Sequence, residues 1–267
     1  MHCETSSIEK PDEAAEAPGE VARRRLLSVR GEPLFLADWS RAVFIHYEIP
    51  AAELQREVPF PLDLHDGKAY LSLVAFTMRR MRPCLGGAPA AWLFKPIAAS
   101  AYLNVRTYVR HHGEPGIYFL REWLNNPLSV RLGPLTFGLP YRFGDLNYEH
   151  RHEMGTLNGA VTETTHQASF AYQATLTEPA FTACPDGSLA EFLLERYTAF
   201  TAHKNKRRFF RIWHRPWAQQ AIGVNVADDR LLARVWPWFS QATLAGGNYS
   251  PGACDVWMGR PHRIPGR

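Results

Sequence analysis

The segment Tyr102-Leu103-Asn104-Val105-Arg106-Thr107-Tyr108-Val109 carries a phenol, an amide, a guanidinium and a second phenol at every second position. Read as a β-strand, it places Tyr102, Asn104, Arg106 and Tyr108 on one face and Leu103, Val105, Thr107 and Val109 on the other. Lining a cavity, the polar column would read an anion, because arginine offers a planar fork of donors suited to carboxylate or phosphate. Facing solvent, the same column would only be hydrated, and the pattern alone leaves both readings open. The following strand contributes Arg121 and Glu122. Glu122 can pair with the strand's arginine or move a proton as an acid or base. Tyr141 and Arg142 follow Leu139-Pro140 after a glycine-containing stretch, and Tyr249 lies in Asn248-Tyr249-Ser250-Pro251-Gly252. Both are turn-rich segments that can be ordinary loops or can deliver a side chain to a site.

Other chemistries lack their residues. His150 and His152, flanked by Glu149 and Glu153, could present two imidazoles to a metal, but neither a third ligand nor an H-E-x-x-H pattern accompanies them, so no metal is expected. Cys3, Cys84, Cys184 and Cys254 form no C-x-x-C pair and are read as reduced thiols. Without G-x-G-x-x-G, a P-loop or G-x-S-x-G, dinucleotide, P-loop and α/β-hydrolase chemistry have no support, and no cofactor is expected. A catalytic amine would have to be Lys10, Lys68, Lys95, Lys204 or Lys206. The net charge of +4, from 30 basic and 26 acidic residues, is too small an excess to call for nucleic acid. Trp213, Trp217, Trp236 and Trp238, interrupted by Pro216 and Pro237, fit a packed core rim better than base stacking.

The elements that must position these groups are mostly strands. Apolar residues make up 46% and aromatics 12% of 267 residues, enough to build a sizeable core. Residues 1–24 are rich in Glu, Ala and Pro and are expected to be a disordered tail, with 25–267 a single domain. Arg23, Arg24 and Arg25 at its edge read as a solvated cluster. Alternating segments predict strands at Val43 to Ile49, Ala69 to Met78, Leu128 to Leu132, Ala168 to Leu176, Arg208 to His214 and Leu231 to Val235. Ser100 to Arg110 and Gly116 to Trp123 read as a hairpin. Ser188 and Glu191 form a capping box, and the apolar spacing after it predicts a helix from Leu189 to Phe200 that ends in the basic run His203 to Arg208. A shorter helix is predicted from Ala51. No apolar h-region or stretch of membrane-spanning length is present, so neither a leader nor a membrane partner is expected and the default location is cytoplasmic.

Several motifs in order resemble the bacterial YqjF-like family, the domain of unknown function 2071, from about Trp39 to the end of the chain. They are Phe44-Ile45-His46-Tyr47-Glu48-Ile49-Pro50, Pro61-Leu62-Asp63-Leu64 with Asp66-Gly67-Lys68-Ala69-Tyr70, Val74-Ala75-Phe76-Thr77-Met78, Asn104-Val105-Arg106-Thr107-Tyr108-Val109, Gly116-Ile117-Tyr118-Phe119, Leu139-Pro140-Tyr141 and Tyr249-Ser250-Pro251-Gly252. That family is similar in fold to acetoacetate decarboxylase. The resemblance implies a mainly β, β-rich α+β protein: a closed conical β-barrel with a few peripheral helices and a pocket inside. It places Asn104 and Arg106 in that pocket and matches Arg41 to the decarboxylase's carboxylate-binding arginine. The decarboxylase carries two adjacent lysines after a proline, one forming a Schiff base and the other lowering its pKa. Here Pro140 is followed by Tyr141 and Arg142, so imine chemistry is not expected. The nearer family's motif has Glu directly before Leu-Asn-Val-Arg, where this chain has Tyr102.

The expected ligand is a small molecule, anionic or carbonyl-bearing, acted on through Arg106, Tyr141 and Glu122 and bound by Arg41, Tyr102, Asn104, Tyr108, Arg142 and Tyr249. The alternative is a non-catalytic protein that sequesters an apolar or aromatic metabolite. Nucleic acid is not an expected partner, and a homo-oligomer is compatible with the sequence.

Overall fold

The computed structural model describes residues 17–163, 165, 167–177 and 180–265. Its strands, in chain order, are β1 (Phe35–Ile49), β2 (Ala69–Pro83), β3 (Ser100–His111), β4 (Glu114–Leu124), β5 (Tyr141–Phe143), β6 (Asp145–Arg151), β7 (Thr156–Glu163), β8 (Ala168–Thr175), β9 (Thr198–His203), β10 (Lys206–Trp213), β11 (Gln220–Asp228), β12 (Thr243–Met258) and β13 (His262–Arg263). The helices are α1 (Pro18–Leu27), α2 (Ala51–Arg56), α3 (Gly87–Phe94), α4 (Pro127–Thr136), α5 (Leu189–Leu194) and α6 (Arg230–Val235).

The sheet is ring-like. β1, β2, β3 and β4 are successive antiparallel neighbours, β4 pairs in parallel with β9, β9 with β10, and β10 meets β12, which returns to β1. At the parallel seam a Cβ on Gly116 would lie 2.4 Å from the Thr198 carbonyl oxygen, so only glycine lets the two backbones approach there. From β12 the sheet continues through β11, β8, β7 and β6 as an antiparallel wing.

Strand alternation sorts side chains between two cores. Val43, Ile45, Leu71, Leu73, Leu103 and Val105 point out of the ring and pack with wing residues including Leu157, Phe170 and Tyr172. Their neighbours Phe44, Val74, Phe76, Tyr102 and Tyr108 point inward, where they meet Ile117, Phe119, Phe210 and Ile212. The polar column of β3 therefore belongs to the interior.

Three segments differ from expectation. Leu128 to Leu132 and Leu231 to Val235 lie in helices α4 and α6, because apolar runs this short carry no decisive period. In α4 the Asn126 side chain accepts from the Ser129 amide at 3.0 Å and Pro127 opens the first turn, a helix start rather than a strand edge. The capping box after Ser188 forms, with the Glu191 amide donating to Ser188 Oγ at 3.1 Å, but its helix stops at Leu194. There Arg196 Nε donates to the Phe192 carbonyl, its guanidinium pairs with Asp63 at 2.8 Å, and the chain leaves as β9. The basic run is a hairpin turn, with Lys204 and Asn205 at φ 47° and 60°. Of the expected tail, residues 1–16 lie outside the described residues, whereas Pro18–Leu27 is helical and buries Leu26. Arg23 lies over the Trp213 and Trp257 rings at 5.6 and 5.7 Å.

Candidate functional site

The ring encloses a cavity of about 260 Å³. Its wall is largely aromatic and aliphatic, and its polar atoms converge from β3, β4 and β5: Tyr102, Asn104, Arg106, Glu122 and Tyr141. Asn104 and Glu122 face each other directly across the β3–β4 pair. The register then shifts, with Val105 opposite Arg121 but Arg106 opposite Phe119. The extra residue, Leu120, is a β-bulge, and it puts both Phe119 and Glu122 on the cavity side. Unbroken alternation from Ile117 and Phe119 would have brought in Arg121 and sent Glu122 outward. β5 runs beside β4 with Tyr141 level with Glu122. The Tyr141 ring occupies the space left by Gly133 of α4, where a Cβ would lie 2.3 Å from Tyr141 Cε2.

Hydrogen bonding in this cavity is incomplete. Asn104 Oδ1, Arg106 Nε and Glu122 Oε1 are all buried with no partner. Arg106 is only 7% exposed, donates from Nη2 to the Leu193 carbonyl at 3.0 Å and lies 5.7 Å from the Phe44 ring centroid. No ion pair to it is found among the described residues. An unpaired buried guanidinium costs several kcal/mol, about as much as a ligand anion could recover. Burial shifts the neighbouring carboxyl, phenols and imidazoles toward their neutral forms. Burial pushes the Glu122 carboxyl well above its ordinary range, the nearby Arg106 charge offsetting only part. Burial raises the Tyr102 and Tyr141 phenols. His214, on the cavity wall, is lowered to about 4 by burial, and His46 behind Arg106 to about 3. Arg196 also reaches the wall, but its charge is matched by Asp63. Within the chamber Arg106 is thus the cation with no ion-pair partner found among the described residues, beside a carboxyl and two phenols that burial holds toward their neutral forms.

The structure brings together five of the sequence-predicted site residues, Tyr102, Asn104, Arg106, Glu122 and Tyr141. Tyr108 lies just behind them, its hydroxyl held by Ser72 Oγ at 2.5 Å and donating to the Leu193 carbonyl at 2.9 Å. Arg142 is exposed and donates to its neighbour's carbonyl. Arg41 sits in a left-handed bulge of β1, φ 54°, and turns outward to Glu153 at 3.5 Å. Tyr249 faces the outer core and bonds His152 Nδ1 at 2.9 Å. His150 is spent on the Arg41 carbonyl and the Tyr172 hydroxyl, and among the described residues no cluster of three metal-ligating side chains forms. The lysines at 68, 95, 204 and 206 are exposed and are not among the residues lining the cavity, although Lys95 lies between the lining residues Phe94 and Ile97; Lys10 lies outside the described residues.

Sequence reasoning missed Trp39, His214 and Trp217. Trp39 stacks on Trp217 with centroids 6.0 Å apart, and His214 packs against both. Trp217 had been placed at a core rim, and no local period links it to Trp39, which is far away in sequence. The Leu193 carbonyl, shared by Arg106 and Tyr108, is a main-chain group and leaves no signal in residue type.

Comparison with known proteins bears on this geometry. The family model of DUF2071, described as an uncharacterized conserved protein, matches residues 36–237. Uncharacterized protein YqjF of Bacillus subtilis is 31% identical over 204 residues, covering 72% of this chain and 78% of that protein. Among solved structures, an acetoacetate decarboxylase-like enzyme from Sphingomonas wittichii RW1 superposes with a TM-score of 0.59 at 15% identity, covering 88% of this chain and 94% of its own. Acetoacetate decarboxylase from Legionella pneumophila gives 0.59 at 11% identity, with 87% of each chain covered. The enduracididine biosynthesis enzyme MppR, bound to the condensation product of pyruvate and imidazole 4-carboxaldehyde, gives 0.59 at 13%, covering 86% of this chain and 89% of that one. The protein has an acetoacetate decarboxylase-like, mainly β fold and belongs to the DUF2071 family, alongside YqjF.

Proposed function

We propose that the cavity receives a small organic anion or carbonyl compound with an apolar or aromatic body, and that the protein acts on it by proton transfer without an imine. The observation that carries this is the convergence of Asn104 Oδ1, Arg106 Nε and Glu122 Oε1, three buried and unpartnered polar atoms, on one enclosed space. Arg106 Nε lacks an acceptor, which a carboxylate or carbonyl oxygen supplies; Asn104 Oδ1 lacks a donor, which a hydroxyl or amine supplies. In its protonated form, which burial favours, the Glu122 carboxyl can donate to an oxygen that gains charge during reaction. Tyr102 and Tyr141, held neutral by burial, complete the donor set. Strong perturbation of a carboxyl inside a cleft is a mark of functional sites. Arg41, Arg142, Tyr108 and Tyr249 take no direct part in this reading. A second reading, storage or sensing without turnover, is favoured by one feature: most of the cavity wall is aromatic and aliphatic, and among the described lining residues there is no cysteine or lysine.

The test is a thermal-shift and calorimetric screen of aliphatic and aromatic carboxylates and 2-oxo acids, each against its neutral amide or alcohol. Carboxylates are expected to bind more tightly than their neutral counterparts. Arg106→Met should weaken the best ligand by roughly 10- to 100-fold, as expected for loss of a charge-assisted hydrogen bond. Ligand consumed over time favours catalysis; ligand recovered unchanged favours storage. Neutral analogues binding as well as acids, or a borohydride-trapped lysine adduct, would overturn the proposal.

A further inference from the structure

The cavity opens between two short helices whose apolar faces point the wrong way for a free-standing soluble protein. Phe94 and Ile97, at the end of α3 and just after it, and Leu132 and Thr136 of α4 line its mouth. Phe35 lies between the helices, 5.4 Å from Phe94 and 6.1 Å from Phe137, and Asn126 Nδ2 donates to the Pro96 carbonyl at 2.7 Å. On α4, Leu128, Leu132 and Leu135 fall at helical spacing on one stripe, and that stripe is exposed, at 44%, 38% and 65%. Its small residues Ser129 and Gly133 are the ones turned inward. On and before α3, Leu85, Trp92 and Leu93 are exposed at 76%, 71% and 69%. Together these side chains form an apolar rim of a kind that marks an interaction surface.

Charge identifies the occupant. From Gly67 to Gly113 and from Asn125 to Gly144 there is no aspartate or glutamate. Arg79, Lys95 and Arg131 are exposed on these same segments with no ion pair to them found among the described residues, whereas Arg80 and Arg82 are paired with Asp38 and Asp255 from neighbouring strands. Contact with a second copy through a two-fold axis would set these cations against their own kind. An anionic bilayer offers acyl chains for Trp92 and the leucines and phosphate charge for the flanking Lys and Arg, the combination used by helices lying in a membrane interface. Both helices are far too short to span, and no helix among the described residues is long and apolar enough to do so.

We propose that α3 and α4 dock the protein peripherally on an anionic lipid surface, with the cavity mouth facing the membrane so that an apolar-bodied ligand can enter from the lipid phase. This goes beyond the cavity assignment and stands or falls apart from it. It also revises the sequence expectation of no membrane partner, which rested on the lack of a spanning segment.

Co-sedimentation of the full chain with vesicles of phosphatidylcholine alone, and of phosphatidylcholine mixed with phosphatidylglycerol, tests it. Binding is expected only to the mixed vesicles and should weaken with added salt. The double variant Trp92→Ser, Leu93→Ser, altered only at exposed positions, should lose at least tenfold in partitioning. Lys95→Glu and Arg131→Glu should each lose about fivefold or more. Arg106→Met should bind vesicles like the wild type, separating docking from ligand recognition. Failure to bind mixed vesicles, unchanged binding by the double variant, or a solution dimer that Leu93→Ser converts to monomer would overturn the proposal.

Discussion

Gly133→Ala tests how the cavity's phenolic wall is built. The position lies inside α4, so alanine is acceptable to the backbone and improves helix propensity by about 0.8–1.0 kcal/mol. The new methyl, however, would stand 2.3 Å from Tyr141 Cε2 and 2.4 Å from Cδ2, against a carbon–carbon optimum of about 3.5–4.0 Å. Relief requires the ring to move by about 1 Å. Little space is available: Tyr102 stands edge-on with its centroid 6.0 Å away and is itself stacked on Phe76 at 5.3 Å. Overpacking of this kind costs about 1–3 kcal/mol. The net expectation is therefore a loss of about 1 kcal/mol, within a range of about 0–2 set by the two opposing terms. In a Tyr141→Ala background the clash is gone and the same substitution should stabilise by up to about 1 kcal/mol. The expected coupling energy in the double-mutant cycle is thus about 2 kcal/mol. Urea unfolding of the four proteins measures it. Equal effects of Gly133→Ala in both backgrounds, within about 0.5 kcal/mol, would refute the placement of Tyr141 against α4.

Two further outcomes follow from the buried charges. Because Glu122 titrates above its unfolded value, its neutral form favours the fold at low pH, and that contribution is lost as pH rises from the unfolded pKa through the folded one. Glu122→Gln should equal the wild type in stability near pH 4 and gain on it as pH rises, by up to about 1.4 kcal/mol per unit in that window; a pH-independent difference in urea unfolding would contradict this. Asp63→Asn should cost about 3–5 kcal/mol, since it leaves Arg196, with a side chain 6% exposed, without its buried carboxylate and also frees Arg110. Restoring stability with a second change, Arg196→Met, would identify the unpaired guanidinium as the cause, and failure to restore it would place the cost elsewhere.

What the sequence revealed follows the range of the physics involved. The alternation of Tyr102, Asn104, Arg106 and Tyr108 needs only a period of two within one strand, and the structure keeps it, with Leu103 and Val105 packed on the opposite face. The capping box at Ser188 is equally local and forms, but where that helix ends depends on Arg196 reaching Asp63, a partner more than a hundred residues away in sequence. The inward turn of Glu122 depends on one unpaired residue, Leu120, and the outward turn of Arg41 on a left-handed bulge. Neither bulge is marked by glycine or proline in the sequence. Trp39, His214 and Trp217 meet only because β1 and the segment after β10 lie on the same ring. Strand faces were legible because they are local, ring closure was expected only through the family resemblance, and the bulges were not legible.

The residues after Pro140 acquire a specific sense from this geometry. In the resembling decarboxylase pattern two adjacent lysines cooperate, the second cation lowering the pKa of the first. Here Tyr141 faces the cavity and Arg142 faces outward, so the second position is not placed to tune the first. The cation that dominates the chamber comes instead from Arg106 on β3, and guanidinium does not give up its proton at accessible pH. A fixed positive charge beside a carboxyl held toward its neutral form can bind and polarise a carboxylate or carbonyl group, and a guanidinium is not itself an imine-forming amine. Burial shifts the Glu122 carboxyl in this chamber well above its ordinary range, the kind of perturbation that accompanies proton-transfer sites.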